Sequence, residues 1–515
     1  MRPEDHLLNS KRPFTGEEYL ASLNDGREVY IYGEKIKNVV EHPALENTAR
    51  SVARLYDELH RPESRDRLCG PTDTGNGGYT HKFFKVAMSS NDLREQRDAI
   101  AAWAELSFGW LARSPDYKGA FNCTLGILPD FYGPFADNAR RWYKRIQDSC
   151  LYLNHAIITP SQAQGEGRKF KFTVEKETEA GIYVSGAKVV ATNAALNHAI
   201  FISHVSTESP GSTDDCSTSF IVSVATKGVK LILRQSYEYL SKVGGTIFDY
   251  PLSSRFDEND AILIFDNVFV PWEDVLIYKN TELCQKWFSQ LFGRVFPFHS
   301  CTRMATKMNF LTGLFAEALE ITGADRHREV KAKLGEVVAW RNLFWSLSDS
   351  MWASPERFEG TEAFLPNSSA TYSFRIFAPM ADAAVKKFVN EAVASGLVYL
   401  PSSAREFENK ETAKYLGQYL GGANGASHQE RVKVLKLLWD AVGTEFAGRA
   451  SLFEINNAGG PEVNRIQCLN NSHRNGDMKR AKELLQRCLS EYDETTLNFV
   501  GRSESRFIDS AIHGL

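Results

Sequence analysis

The chain has 515 residues, 43% hydrophobic and 24% charged, with a formal charge of −4. Those proportions belong to a globular protein and exclude a disordered or fibrous chain, and the near-balanced charge lacks the basic footprint of a nucleic-acid binder. At ~100–200 residues per domain, the length fits two to four domains or one composite enzyme fold.

No stretch approaches the ~18 apolar residues of a membrane span. The opening residues Met1 to His6 lack the apolar segment of a secretory signal, so a cytoplasmic location is expected. The eight cysteines form no C-x-x-C pair, which fits reduced thiols.

Near the start, Thr15 followed three residues on by Glu18 predicts a capping box opening a short helix. Asn24-Asp25-Gly26 marks a turn before two short paired strands around Val29–Gly33. Helical spacing of Ile100, Trp103, Leu106 and Trp110 predicts a helix over 92–113, and 136–156 reads as another, running into Leu151-Tyr152-Leu153-Asn154-His155. From 168 to 274 the texture turns to β-branched residues, Gly and turn dipeptides, and short strands are expected at Phe170–Val174, Gly181–Val184, Ala199–Ile202, Ser219–Val222 and Ala261–Phe265. Long helices return at 302–323, 328–352, 371–395, 429–450 and 477–491, the fourth with a stripe of Val434, Leu437, Leu438 and Ala441. Helices, then a β-region, then helices argue against a doubly wound sheet and for a mainly helical α+β chain. The expected boundaries are 1–155 for an N-terminal helical domain, 156–284 for a central β-domain and 285–515 for a C-terminal helical bundle with a tail.

The common catalytic signatures are missing: there is no phosphate loop, nucleophile elbow or H-E-x-x-H. The Gly clusters at 75–78 and 421–425 lack dinucleotide spacing and read as turns. An active site here must be assembled from dispersed residues.

Eight strings carry a resemblance: PFTGEEYLASLNDGREVYIYGE, TDTGNGGYTHKFFKVA, REQRDAIAAWAELSFGWLARSPDYK, LYLNHAI, VSGAKVVATNAAL, DYPLSSRFDENDAILIFDNVFVPWEDVLIY, GEVVAWRNLFWSLSDSM and SGLVYLPSSAREF. Spread from about residue 10 to 495, they resemble the two-component, reduced-flavin-dependent phenol hydroxylases typified by the oxygenase component of 4-hydroxyphenylacetate 3-monooxygenase. The resemblance implies an acyl-CoA-dehydrogenase-like fold: an N-terminal helical domain, a central β-barrel and a C-terminal four-helix bundle, assembled as a homotetramer (a dimer of dimers). It also implies FAD, delivered as FADH2 by a separate NAD(P)H:flavin reductase, with O2 as cosubstrate. The expected reaction is ortho-hydroxylation of a 4-substituted phenol to a catechol through a flavin C4a-hydroperoxide.

Site residues follow by position. Arg113 and Tyr117 flank Pro115, which should end the preceding helix. By residue type alone, Arg113 reads as a dipole partner at a helix end; the resemblance makes the pair contacts to the phenol oxygen. His155 reads either as a core histidine or, by resemblance, as a group beside flavin and substrate, acting as a base or only as a hydrogen-bond donor. A cation and donors around a phenol of pKa ≈ 10 favour its phenolate. Thr192 is either an ordinary strand Thr or the hydroxyl near flavin N5. Ser161, Gln162, Ala163 and Gln164 are expected to supply flavin contacts, although the following Gly165–Arg168 loop is shorter than in close relatives. Asn456, Asn457, Ala458 and Gly459 read as a helix C-cap and, by resemblance, approach FAD.

The loop at 206–216 reads by composition as a mobile polar surface loop and, by resemblance, sets substrate identity, with Ser206, Thr207 and Glu208 at substrate-contact positions; Glu208 replaces an expected Gln, and Glu208 or the pair Asp214-Asp215 would favour a phenol carrying an amine. His299 stands where close relatives have Gln, as a further pocket group or a surface histidine. The candidate substrates are 4-hydroxyphenylacetate, 4-coumarate, tyrosine, a halophenol or a carrier-tethered phenol.

Two rival classes remain. An FAD/iron–sulfur enzyme resembling 4-hydroxybutyryl-CoA dehydratase needs closely spaced cysteines in the first domain, yet 85–122 holds none, and Cys301 near His299 is an incomplete set. A non-catalytic scaffold should have lost Arg113, Tyr117, His155 or Thr192, and all four are present.

Overall fold

The computed structural model of the chain describes residues 2–160, 172–204 and 217–490. Residues 1–461 form one compact unit and residues from 462 onward another. In the first unit the principal helices are α1 (Glu46–Glu58), α2 (Ser90–Glu105), α3 (Gly119–Ile127), α4 (Ala136–Ser149), α5 (Gly293–Thr322), α6 (Arg328–Ala353), α7 (Ser368–Val398), α8 (His428–Val442) and α9 (Glu445–Ala458). The second contains the helix Asp477–Ser490 and most of Pro461–Arg474.

The predicted capping box exists: Thr15 Oγ1 accepts from the Glu18 amide at 3.2 Å, and Glu18 accepts back from the Thr15 amide at 2.8 Å. The expected strand pair near Val29 also forms, as β1 (Glu28–Ile31) and β2 (Glu34–Lys35). The helix expected to run through 156 stops at Ser149. Cys150 takes a left-handed conformation (φ 52°), and Leu153–Ala156 becomes a strand, β3. Likewise α2 ends at Glu105, well before Pro115, which instead opens a 3-10 turn at Pro115–Lys118. Pro suits that first helical position because its missing N–H would be unpaired there anyway.

The β-region holds β4 (Thr173–Glu177), β5 (Gly181–Thr192), β6 (Ala199–Ile202), β7 (Ser219–Ser223), β8 (Val229–Leu233), β9 (Asp260–Pro271) and β10 (Val275–Ile277). Six strands form one sheet in the order β2-β1-β8-β9-β5-β4, and four form a second, β10-β7-β6-β3. The first recruits β1 in parallel with β8, tying the chain's opening to the β-region. Among the described residues both sheets are open, with edges at β2, β4, β10 and β3, and the strands described do not close into the expected β-barrel.

The C-terminal helices of the first unit form a bundle in which α5 packs on α6, α7 and α8, and α7 on α9. The first half of α5 is buried on every side, from Val295 and Phe296 to Lys307 and Met308, so no amphipathic stripe announces it. The predicted 429–450 helix is two helices, because Gly443 ends α8 and Thr444 caps α9, accepting from the Ala447 amide at 3.3 Å.

Candidate functional site

A cleft of about 820 Å³ opens where β5, β8 and β9 face α9. Its size is that of a cofactor or small-molecule site. Ile158, Val190, Ile232, Ile262 and Leu452 line it with apolar side chains left substantially exposed, Leu452 by 62%. Such a patch on a folded surface marks a binding face.

Helical spacing on α9 puts Arg449, Phe453, Asn456 and Asn457 on the cleft side. Asn457 Oδ1 accepts from Arg113 Nη1 at 2.7 Å. The Arg113 guanidinium lies 4.0 Å from the Tyr117 ring centroid and 4.8 Å from that of Phe453. Its main-chain N–H donates to Glu258 Oε1 at 2.6 Å. Arg113 is therefore fixed from three directions before any ligand arrives.

His155 projects from β3 into the same cleft. Its ring lies 5.8 Å from the Tyr117 ring at 23° and 5.6 Å from the Phe292 ring. Lys118 Nζ and His155 Nδ1 share a hydrogen bond. Burial, with the charges of Lys118 and Arg113, pushes the His155 pKa well below 6.5, so the imidazole is neutral at physiological pH. Burial does the same to the Lys118 amine, with Arg113 adding to it.

Thr192 ends β5 directly opposite Asp260, which begins β9, and Thr192 Oγ1 donates to Asp260 Oδ1 at 2.7 Å. Asp260 also takes Arg449 through Nε at 2.8 Å and Nη2 at 2.7 Å, and Arg234 Nε at 3.0 Å. Burial alone would raise its pKa; Arg449 and Arg234 hold it well below the carboxylate range. Just before Thr192 the β5–β9 register slips, and Val190 sits in the left-handed region at φ 59°. A β-branched residue there is strained, and bulges of this kind re-aim side chains beside functional sites.

Of the residues singled out in the sequence, the fold brings Arg113, His155, Thr192, Asn456 and Asn457 to the cleft, with Tyr117 behind Arg113 and His155. Ala458 is buried, its carbonyl accepting from Arg375 Nε at 2.7 Å, and Gly459 ends α9 at φ 96°. His299 is not on the surface: it is 1% exposed, with Nε2 3.1 Å from Asp116 Oδ2 and its ring edge-on to Tyr117 at 5.3 Å. Ser161, Gln162, Ala163, Gln164, Ser206, Thr207 and Glu208 lie outside the described residues. Sequence reasoning missed Lys118, Glu258, Asp260 and Arg449. The FDEND string held two of them, but nothing in the sequence joins Asp260 to an arginine 189 residues away. Among the described residues no three His, Cys, Asp or Glu side chains converge as a metal-ligand set, and Cys301 points its thiol at the Phe344 carbonyl.

Helices, paired sheets and a helix bundle, with a cleft where sheet meets bundle, define a mainly helical α+β enzyme fold, that of the oxygenase component of 4-hydroxyphenylacetate 3-monooxygenase. The chain belongs to the 4-hydroxyphenylacetate 3-hydroxylase family: the family's N-terminal model matches residues 15–277 and its C-terminal model residues 284–486. It is 52% identical to the 4-hydroxyphenylacetate 3-monooxygenase oxygenase component of Pseudomonas aeruginosa, over 96% of each chain. It is 48% identical to a (3S)-3-amino-3-(3-chloro-4-hydroxyphenyl)propanoyl-[peptidyl-carrier protein] monooxygenase of Streptomyces globisporus, over 94% of this chain and 92% of that one. The crystal structure of a 4-hydroxyphenylacetate 3-monooxygenase oxygenase component with FAD and 4-hydroxyphenylacetate superposes with a TM-score of 0.85 at 27% identity, covering 93% of this chain and all of that one.

Proposed function

We propose that this chain is the oxygenase component of a two-component monooxygenase that hydroxylates a 4-substituted phenol ortho to its hydroxyl group. The observation that carries this reading is the convergence of Arg113, Tyr117 and the neutral His155 at one corner of an apolar cleft.

The cleft fits a flat flavin ring. Ile158, Val190, Ile232, Ile262 and Leu452 offer exposed apolar walls, and Thr192, Asn456 and Asn457 offer polar atoms at the edge. Reduced FAD, supplied by a separate NAD(P)H:flavin reductase, brings the two electrons with which O2 gives one oxygen atom to the ring and one to water. The chain's residues do the rest. Arg113 and Tyr117 take the phenol oxygen, and the guanidinium favours the anionic form. Neutral His155 accepts the phenolic proton, and the phenolate pushes electron density onto the ortho carbon. Thr192 has committed its hydrogen to Asp260, so its oxygen faces the cleft as an acceptor, suited to the N5–H of a reduced flavin. The apolar walls exclude water, which protects a reactive oxygen carrier from unproductive decay.

The substrate is 4-hydroxyphenylacetate-like, with tyrosine-like, coumarate-like, halogenated and carrier-tethered phenols as the alternatives. The functional assembly is a cytoplasmic homotetramer, with domains at 1–155, 156–284 and 285–515. The decisive experiment supplies photoreduced FAD and O2 to the pure protein with a panel of these phenols, scoring catechol against hydrogen peroxide. Catechol from at least one phenol is expected; peroxide alone from every phenol would overturn the reading.

A further inference from the structure

Lys118 is 2% exposed, yet among the described residues no carboxylate pairs with it. A buried ammonium without a counter-charge is costly, and such a lysine ordinarily sheds its proton. Its hydrogen-bond partner is His155 Nδ1, the ring nitrogen on the same imidazole whose other nitrogen is left for substrate. Tyr117 (1% exposed) and Phe292 (2% exposed) close the inner side of this corner, while the half-buried His155 opens on its other side to the cleft. The charged and titratable groups facing it are Arg113 from the loop after α2, Tyr117 beside Lys118, Arg303 and His299 from α5, and Arg375 from α7. Asp116 is engaged with His299, and Glu258 with the Arg113 amide and Arg449.

Resting on the phenol-hydroxylase reading, we propose that Lys118 is a positioning residue that also stores the substrate's proton, receiving it through His155. In the free enzyme His155 Nδ1–H donates to the Lys118 amine, which orients the ring and leaves Nε2 as an acceptor. When a phenol binds, its O–H bond breaks and Nε2–H forms; the Nδ1–H bond breaks and a third N–H forms on Lys118. The electron pair stays on the phenolate oxygen and the positive charge rests on Lys118. His155 ends as the opposite neutral tautomer, donating Nε2–H to the phenolate. One imidazole thus serves as base and then as donor. An alkylamine is intrinsically far more basic than imidazole, which gives the proton a reason to move on. The anion formed supplies the counter-charge that the buried ammonium lacks among the described residues.

The test uses 4-nitrophenol, whose phenolate absorbs visibly, bound to the full-length protein and titrated with pH for wild type, Lys118→Gln and Lys118→Met. Gln keeps a hydrogen bond to Nδ1 but takes no proton; Met fills the space with neither. Wild type should ionise the bound phenol at a pH lower than both variants by about one unit or more, a roughly tenfold shift in the equilibrium. The variants should retain the wild-type thermal unfolding midpoint or exceed it, since a buried unpaired amine is removed. A Lys118→Gln curve that overlays the wild-type curve overturns the proton store. If wild-type protein neither shifts the ionisation of 4-nitrophenol nor makes a catechol from any phenol, it is the underlying phenol-hydroxylase reading that fails.

Discussion

Thr192 Oγ1 lies 2.7 Å from Asp260 Oδ1, across a cross-strand pair that joins the last residue of β5 to the first of β9. Two arginines hold Asp260 ionised, so it only accepts, and the hydroxyl hydrogen is committed to it. Thr192 is thereby a fixed acceptor toward whatever occupies the cleft.

Replacing Thr192 with Val keeps the shape and removes that acceptor. Asp260 retains its arginines, so stability should fall by only about 1 kcal/mol. The share of turnovers ending in hydrogen peroxide should rise about fivefold relative to catechol, the scale of one lost hydrogen bond. An unchanged product ratio would remove Thr192 from the reaction.

In the proposed reaction Arg113 supplies the charge that stabilises phenolate. Arg113→Ala should lower catechol formation on the order of 10²-fold, while reduced FAD still binds. Arg113→Lys should recover part of the loss, since it restores a cation but not the planar fork that reaches Asn457. Single-turnover product yield checks both; equal yields from wild type and Arg113→Ala would contradict the assignment.

Beneath the cleft, Glu454 takes Arg303 Nη2 at 2.6 Å and Lys307 Nζ at 3.0 Å, all buried. Burial would raise the Glu454 pKa, but Arg303 and Lys307 bring it down to about 2 from 4.5. A folded pKa below the unfolded one contributes stability that is present above pH 4.5 and is lost as pH falls through about 2. Glu454→Gln should therefore cost about 3–5 kcal/mol at neutral pH by leaving two buried cations short of an anion. The gap in unfolding midpoint between wild type and variant should narrow as the solution is acidified across that window. A gap that stays constant with pH would refute the linkage.

Val190 holds φ 59° with its side chain 49% exposed on the cleft wall. The left-handed conformation costs a β-branched residue roughly 1–2 kcal/mol, and glycine adopts it freely. Val190→Gly should raise stability by about 0.5–1 kcal/mol after the entropy of the added flexibility, while weakening binding of reduced FAD through the lost wall. Denaturant midpoints and equilibrium dialysis test the two halves; a less stable variant would mean that Val190 is not strained.

The sequence showed the larger layout because long helices and short strands have different periods. It showed less where tertiary contacts override local pattern. The first turns of α5 went unread since a helix buried all round, carrying Pro297, His299 and Arg303, has no stripe to follow. The break at Gly443-Thr444 was legible as a stop followed by a cap, yet the apolar spacing of Val434 to Ala441 outweighed it. Arg113, His155 and Thr192 were readable through long family strings, not through any pattern of their own. Lys118 stood in the same string unremarked, because a lysine by itself reads as solvated surface. The pairing of Asp260 with Arg449 is purely a product of folding.

The bond from Arg113 to Asn457 joins residues 344 positions apart. A ribosome therefore releases Arg113, His155 and Thr192 long before the residue that steadies the guanidinium exists. Until α9 emerges, Arg113 lacks the Asn457 oxygen that accepts from it, and the cleft lacks the wall of Arg449, Leu452 and Phe453. The cleft is therefore complete only once α9 has been made.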